Sequence, residues 1–177
     1  YTTERSGSFW KPLKPPIKVL VYGSEMEIAG ETADLRGYEF FISGDVYIGR
    51  GTEINGGVIY AEGRITIEDG AVLNDASICS EKGVNLVNMQ GNYCTEILLF
   101  NRGGEDVKEI RITGSMINGL VCYLETEAEE GRPKGGIVYE EKSTIHGIVM
   151  SDGYVTPVGR TIGTLISKYT EYRIGTT

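Results

Sequence analysis

Two stretches, Ile48-Gly-Arg-Gly-Thr-Glu-Ile54 and Ile67-Glu-Asp-Gly-Ala-Val-Leu73, carry the same pattern 19 residues apart. Shifting the chain by that distance lays apolar positions on apolar positions. Leu35, Ile54 and Leu73 coincide, as do Phe40, Ile59 and Ile78; Val46, Ile65 and Val84; and Ile48, Ile67 and Leu86. Gly37 falls on Gly56, Gly51 on Gly70 and Asn55 on Asn74, and one further step puts Ile97 on Ile78 and Leu98 on Cys79. Self-similarity at a fixed period of this size is the signature of a stacked repeat.

Inside each repeat the apolar spacing is two, as in Val46/Ile48, Ile65/Ile67 and Val84/Leu86. That alternation belongs to short strands with one face inward, and no stretch carries a helical stripe. Gly, Asn and Asp recur between the strands, where tight corners need positive φ or a local side-chain bond. A unit this short cannot bury its own apolar row, so neighbouring units must stack. The expected fold is all-β: a single-stranded parallel β-helix with about 19 residues per coil. Runs of six residues (48, 54, 60 and 67, 73, 79) break by one at each coil, which favours a right-handed helix over a left-handed hexapeptide one.

Beyond residue 90 the strict period fades. Glu96-Ile-Leu-Leu-Phe100 reads as a strand, Asn101 to Asp106 as a protruding loop, and Ile110-Arg-Ile112 resumes the alternation. Three related phrases follow: Ser115-Met-Ile-Asn-Gly-Leu-Val-Cys122, Ser143-Thr-Ile-His-Gly-Ile-Val-Met150 and Arg160-Thr-Ile-Gly-Thr-Leu-Ile166. The expected organisation is a Pro-containing basic arm with a capping strand over 1–23, then a β-helix over 24–177 with insertions near 101–109 and 124–136. The chain opens on Tyr1 rather than Met, which reads as a processed product or a fragment.

Composition narrows the function. The 177 residues carry 17 Lys plus Arg against 25 Asp plus Glu, a net charge of −8, which argues against a nucleic-acid partner. No stretch approaches the ~20 apolar residues of a membrane-spanning helix. The arm is the exception in charge, with Arg5, Lys11, Lys14 and Lys18 against Glu4 alone. Lys11, Lys14 and Lys18 are therefore candidates for attachment to an anionic membrane or wall polymer, at about 1 kcal/mol per cation.

The coils Gly44-Asp-Val-Tyr-Ile-Gly49, Ile54-Asn-Gly-Gly-Val-Ile-Tyr-Ala-Glu-Gly63 and Arg64-Ile-Thr-Ile-Glu-Asp-Gly-Ala-Val72 resemble the bactofilins, bacterial polymer-forming cytoskeletal proteins. The resemblance covers residues 35–90, and the glycine-punctuated phrases of 115–166 resemble solenoids of some envelope-anchored relatives. The two insertions depart from that pattern. The resemblance implies a small right-handed β-helix, flanked by Pro-rich or basic tails, that polymerises end to end without nucleotide, often against a membrane. Solenoid ends expose unpaired strand edges. The candidate polymerisation rows are Val19, Leu20 and Val21 at one end and Leu165, Ile166 and Tyr169 at the other. The expected partner is the chain itself, at the cell envelope, with no enzymatic activity.

Signals for other chemistry are thin. His146 is the one histidine, in Thr144-Ile-His-Gly, where Asn118 holds the matching place in the earlier phrase. It reads as a corner residue rather than a general base. Cys79, Cys94 and Cys122 form no CxxC pair and read as small buried hydrophobes. Glu53, Glu62, Glu68, Asp69, Asp75, Glu81 and the Glu125–Glu130 cluster read as a solvated acidic surface rather than a calcium site. No metal, cofactor or catalytic residue is expected. An alternative function is a surface-exposed β-helix that binds glycan or forms an adhesin stalk. Its candidate outward aromatics are Trp10, Tyr38, Tyr47, Tyr60, Tyr139 and Tyr154.

Overall fold

A computed structural model of the chain describes residues 16–102, 106–125 and 133–170. The described residues form no helix, and every strand pairing among them is parallel. The chain winds as a parallel β-helix with three faces. The first coil is β1 (Ile17–Val21), β2 (Glu25–Ile28) and β3 (Thr32–Asp34), and the second is β4 (Tyr38–Ile42), β5 (Asp45–Ile48) and β6 (Glu53–Asn55). The third is β7 (Val58–Ala61), β8 (Arg64–Ile67) and β9 (Val72–Asn74). The fourth is β10 (Ser77–Ser80), β11 (Gly83–Val87) and β12 (Gln90–Asn92), followed by β13 (Thr95–Asn101) and β14 (Lys108–Thr113).

The later strands bend around corners. β15 (Met116–Glu125), β17 (Thr144–Pro157) and β18 (Arg160–Thr170) each serve more than one face, with β16 (Gly135–Tyr139) between β15 and β17. The three related phrases explain why. Gly119, Gly147 and Gly163 stand in register at one corner, and a Cβ on Gly147 would lie 2.0 Å from the Gly119 carbonyl oxygen. The backbone passes through that bend only without a side chain.

The core is a set of aliphatic ladders. On the first face one runs Val19, Phe40, Ile59, Ile78, Ile97, Val121, Val149 and Leu165. On the second it runs Met26, Val46, Ile65, Val84, Ile110, Ile137 and Val155. A third runs Ala33, Ile54 and Leu73, then Ile117 and Ile145 beyond Gly91. Neighbouring rungs of a sheet stand about 4.8 Å apart, so each ladder is a column of touching side chains. Ile59, Ile78 and Ile97 are all fully buried. Outside the third face, Asn74 Nδ2 donates to Asn55 Oδ1 at 2.9 Å and to Glu53 Oε1 at 3.0 Å, a polar ladder beside the apolar one.

Several expectations need revision. Ala33, not Leu35, pairs below Ile54, because the first coil is longer than 19 residues. The strand expected at the end of the 1–23 arm is β1, and it continues the first face in register with β4. Strand reaches into both expected insertions: β13 extends through Asn101, β15 through Glu125, and β16 starts at Gly135. Asn101 is no loop residue. It is buried, and its Nδ2 donates to the Tyr123 hydroxyl at 2.8 Å.

The wider later coils admit two fully buried tyrosines. The Tyr123 ring fills space left by Gly135 and Gly153, and the Tyr139 hydroxyl lies 2.7 Å from Thr161 Oγ1. Tyr139 therefore faces the core and is not an outward aromatic. Cys94 is exposed at a corner, unlike the buried Cys79 and Cys122. Those two lie on an outward row between longer neighbours, Tyr60 and Leu98 around Cys79, Leu98 and Met150 around Cys122. Burial pushes both thiols up to about 11.

Candidate functional site

The ends of the solenoid are built by the same alternation as its middle. Among the described residues, β1, β2, β3 and β18 each pair on one side only. A parallel strand with one partner leaves half of its backbone N–H and C=O groups without a ladder bond. The interior ladders open at the same places. Val19 and Val21 are half-buried, and Val21, Met26, Ile28 and Ala33 pack against the core from one side. At the other end Leu165, in the same ladder as Val19, is 37% exposed, where Ile78 in mid-column shows nothing to solvent.

The two ends match in register. Val19 and Leu165 terminate one inward column, while Leu20 and Ile166 terminate the outward row that runs through Phe41, Tyr60, Cys79, Leu98, Cys122 and Met150. Leu20 is 62% exposed and Ile166 53%. Val21 ends a second inward column that closes on Ser167. Tyr169 does not share this face. It pairs with Tyr154, on the outside of the second face.

Of the basic candidates, Lys11 and Lys14 lie outside the described residues. Lys18 sits on the outside of β1 with its Nζ 5.7 Å from the centre of the Phe41 ring, a cation–π contact. Trp10 and 126–130 of the acidic cluster are likewise outside the described residues. His146 is exposed at the corner, in register with Asn118 and Ile162. The acidic candidates are scattered along the outer surface. Glu81 accepts from the Tyr60 hydroxyl and pairs with Arg102 at 3.1 Å, and Asp69 accepts from Asn88 Nδ2 at 2.8 Å. Among the described residues no three His, Cys, Asp or Glu side chains gather as a metal would require.

One concave feature escaped sequence reasoning. Outside the second face, where β14, β16, β17 and β18 stack, lies an open cleft of about 780 Å³. Arg111 spans its floor, with Nη2 2.9 Å from Glu109 Oε2 and Nη1 3.0 Å from Glu140 Oε1. Thr113 Oγ1 donates to Glu140 at 3.2 Å and the Tyr154 hydroxyl to Glu109. Burial and the bond to Glu109 both raise the Tyr154 phenol well above its ordinary value. The pattern Glu109-Ile-Arg111 looks like any alternating strand, and Glu140 joins it only through the fold.

Comparison with models of known families, with curated proteins and with solved structures finds no match to this chain.

Proposed function

We propose that this chain is a non-enzymatic structural protein that assembles end to end into a nucleotide-independent filament at the cell envelope. The observation that carries the reading is the shared column: Val19 and Leu165 end one ladder, and among the described residues neither carries a further rung. Stacking β18 of one copy on β1 of the next sets Leu165 over Val19 and Ile166 over Leu20. Both edges then gain the ladder bonds they lack. Burying the exposed remainder of Leu20, Leu165 and Ile166 contributes on the order of 3 kcal/mol. The contact joins two different surfaces stacked along the solenoid axis, and a heterologous contact whose repeat does not close on itself gives an open polymer. The resemblance of residues 35–90 to the bactofilins supports the same reading. Attachment of the arm to an anionic surface through Lys11, Lys14 and Lys18 belongs with it, weak per copy and firm only through the avidity of a polymer.

Negative-stain electron microscopy across a range of protein concentrations, without nucleotide, tests the proposal. Wild-type protein forms regular filaments, and Leu165→Lys gives a folded monomer with an unchanged circular-dichroism spectrum. Dispersed wild-type monomers at every concentration, or normal filaments from Leu165→Lys, would refute it.

A further inference from the structure

We infer that the cleft outside the second face is a binding site for a neutral, extended oligosaccharide, independent of how the solenoid ends associate. Its volume, about 780 Å³, lies in the range of ligand sites rather than of packing defects. Its polar groups are held before any ligand arrives. Arg111 is fixed by two carboxylates, and each carboxylate has a second donor, Tyr154 for Glu109 and Thr113 for Glu140. Groups fixed in advance lose little freedom on binding. Half-exposed ion pairs of this kind add little stability, so the network is poorly explained as a fold-stabilising device.

The chemistry of the lining selects the ligand. Among the described lining residues, Glu109 and Glu140 are balanced by Arg111 and Lys168, a pairing that favours neither an anionic nor a cationic molecule. Carboxylate oxygens accept from hydroxyls, and guanidinium and ammonium groups donate to them, which is the recognition a polyol needs. Two aromatic rings provide the apolar platform. Tyr154 and Tyr169 face outward in register on successive coils, and Tyr169 is 46% exposed. With rungs about 4.8 Å apart, the two rings form a short track along the solenoid axis. A flat, β-linked chain of pyranose rings lays its C–H faces on such a track and presents its equatorial hydroxyls to Arg111 and the carboxylates. A coiled α-linked chain cannot follow it.

The probes are cellotetraose and chitotetraose, with maltotetraose and a tetragalacturonate as controls. Binding is measured by calorimetry and by shifts of the tyrosine ring signals, on wild type and on Leu165→Lys, whose substitution lies on another face. At least one β-linked probe binds both proteins and shifts the Tyr154 and Tyr169 resonances. Tyr169→Ala weakens it at least tenfold, and Arg111→Gln does the same while the fold and melting temperature hold. Absence of binding by both β-linked probes up to about 10 mM, tenfold above a millimolar Kd, overturns the inference. So does preference for a control, or binding unchanged in Tyr169→Ala. Loss of filaments in Leu165→Lys leaves this result untouched, so the two proposals fail separately.

Discussion

Consider alanine at Gly147. Its backbone φ is +146°, and the added Cβ would lie 2.0 Å from the Gly119 carbonyl oxygen and 2.9 Å from its carbon. Comfortable heavy-atom contact begins near 3.5 Å, so the rungs of β15 and β17 must separate by more than an ångström at that corner. Such a gap breaks at least two adjacent ladder bonds at about 0.5–1.5 kcal/mol each. Forcing an L-residue into this conformation adds about 1–3 kcal/mol. The expected loss is about 2–6 kcal/mol, a large part of the ~5–15 kcal/mol that holds a domain folded. Gly70 is the control. Its φ is +74°, but nothing lies within 4 Å of an added Cβ, so Gly70→Ala meets only the strain of about 1–2 kcal/mol. Urea unfolding followed by circular dichroism separates the two variants. Hydrogen exchange localises the damage in Gly147→Ala to β15, β17 and β18. Equal losses in the two variants, or a Gly147→Ala midpoint close to wild type, would refute the argument that rung contact at this corner requires glycine.

Ile78→Ala empties the middle of a column whose neighbours Ile59 and Ile97 are fully buried, and costs about 2–5 kcal/mol in urea or thermal unfolding. Burial pushes the Tyr123 phenol up to about 12 from 10.0, so the folded state holds that proton more tightly than the unfolded chain. Its stabilisation is complete below pH 10 and is lost as pH rises towards 12; phenolate absorbance appearing in step with unfolding checks this, and Tyr123→Phe removes that component. Cys94 is exposed while Cys79 and Cys122 are buried with raised pKa values, so a thiol reagent at pH 8 modifies one residue in the native protein and none in Cys94→Ser.

The legible part of the fold was the part with constant coil length. Phe40, Ile59 and Ile78, or Val46, Ile65 and Val84, stack as a fixed 19-residue shift predicts, since nothing interrupts those coils. Beyond them the coil grows to 26 residues from Val84 to Ile110 and 28 from Val121 to Val149, then shrinks to 16 from Val149 to Leu165. No single shift finds such a series. The three glycine phrases stayed recognisable because the corner demands the same residue at each pass. Asn101 looked like loop because it is polar; its partner, Tyr123, lies a whole coil away. Leu20, Leu165 and Ile166 stand at the ends of columns on the first face, whereas Tyr169, on the same terminal strand, turns onto the second face beside Tyr154. The cleft was invisible for a related reason, since Arg111 and Glu140 meet only across an insertion.

The uneven strand lengths give the molecule a mechanical direction. β1, β2 and β3 hold their neighbours over 5, 4 and 3 residues, interrupted at each corner, whereas β17 and β18 run through their corners over 14 and 11. A stack in which each layer touches only the next yields one layer at a time, starting where a layer is held by fewest bonds. Pulled along its axis, this solenoid peels from the amino-terminal coil, and the glycine-cornered coils are the last to let go.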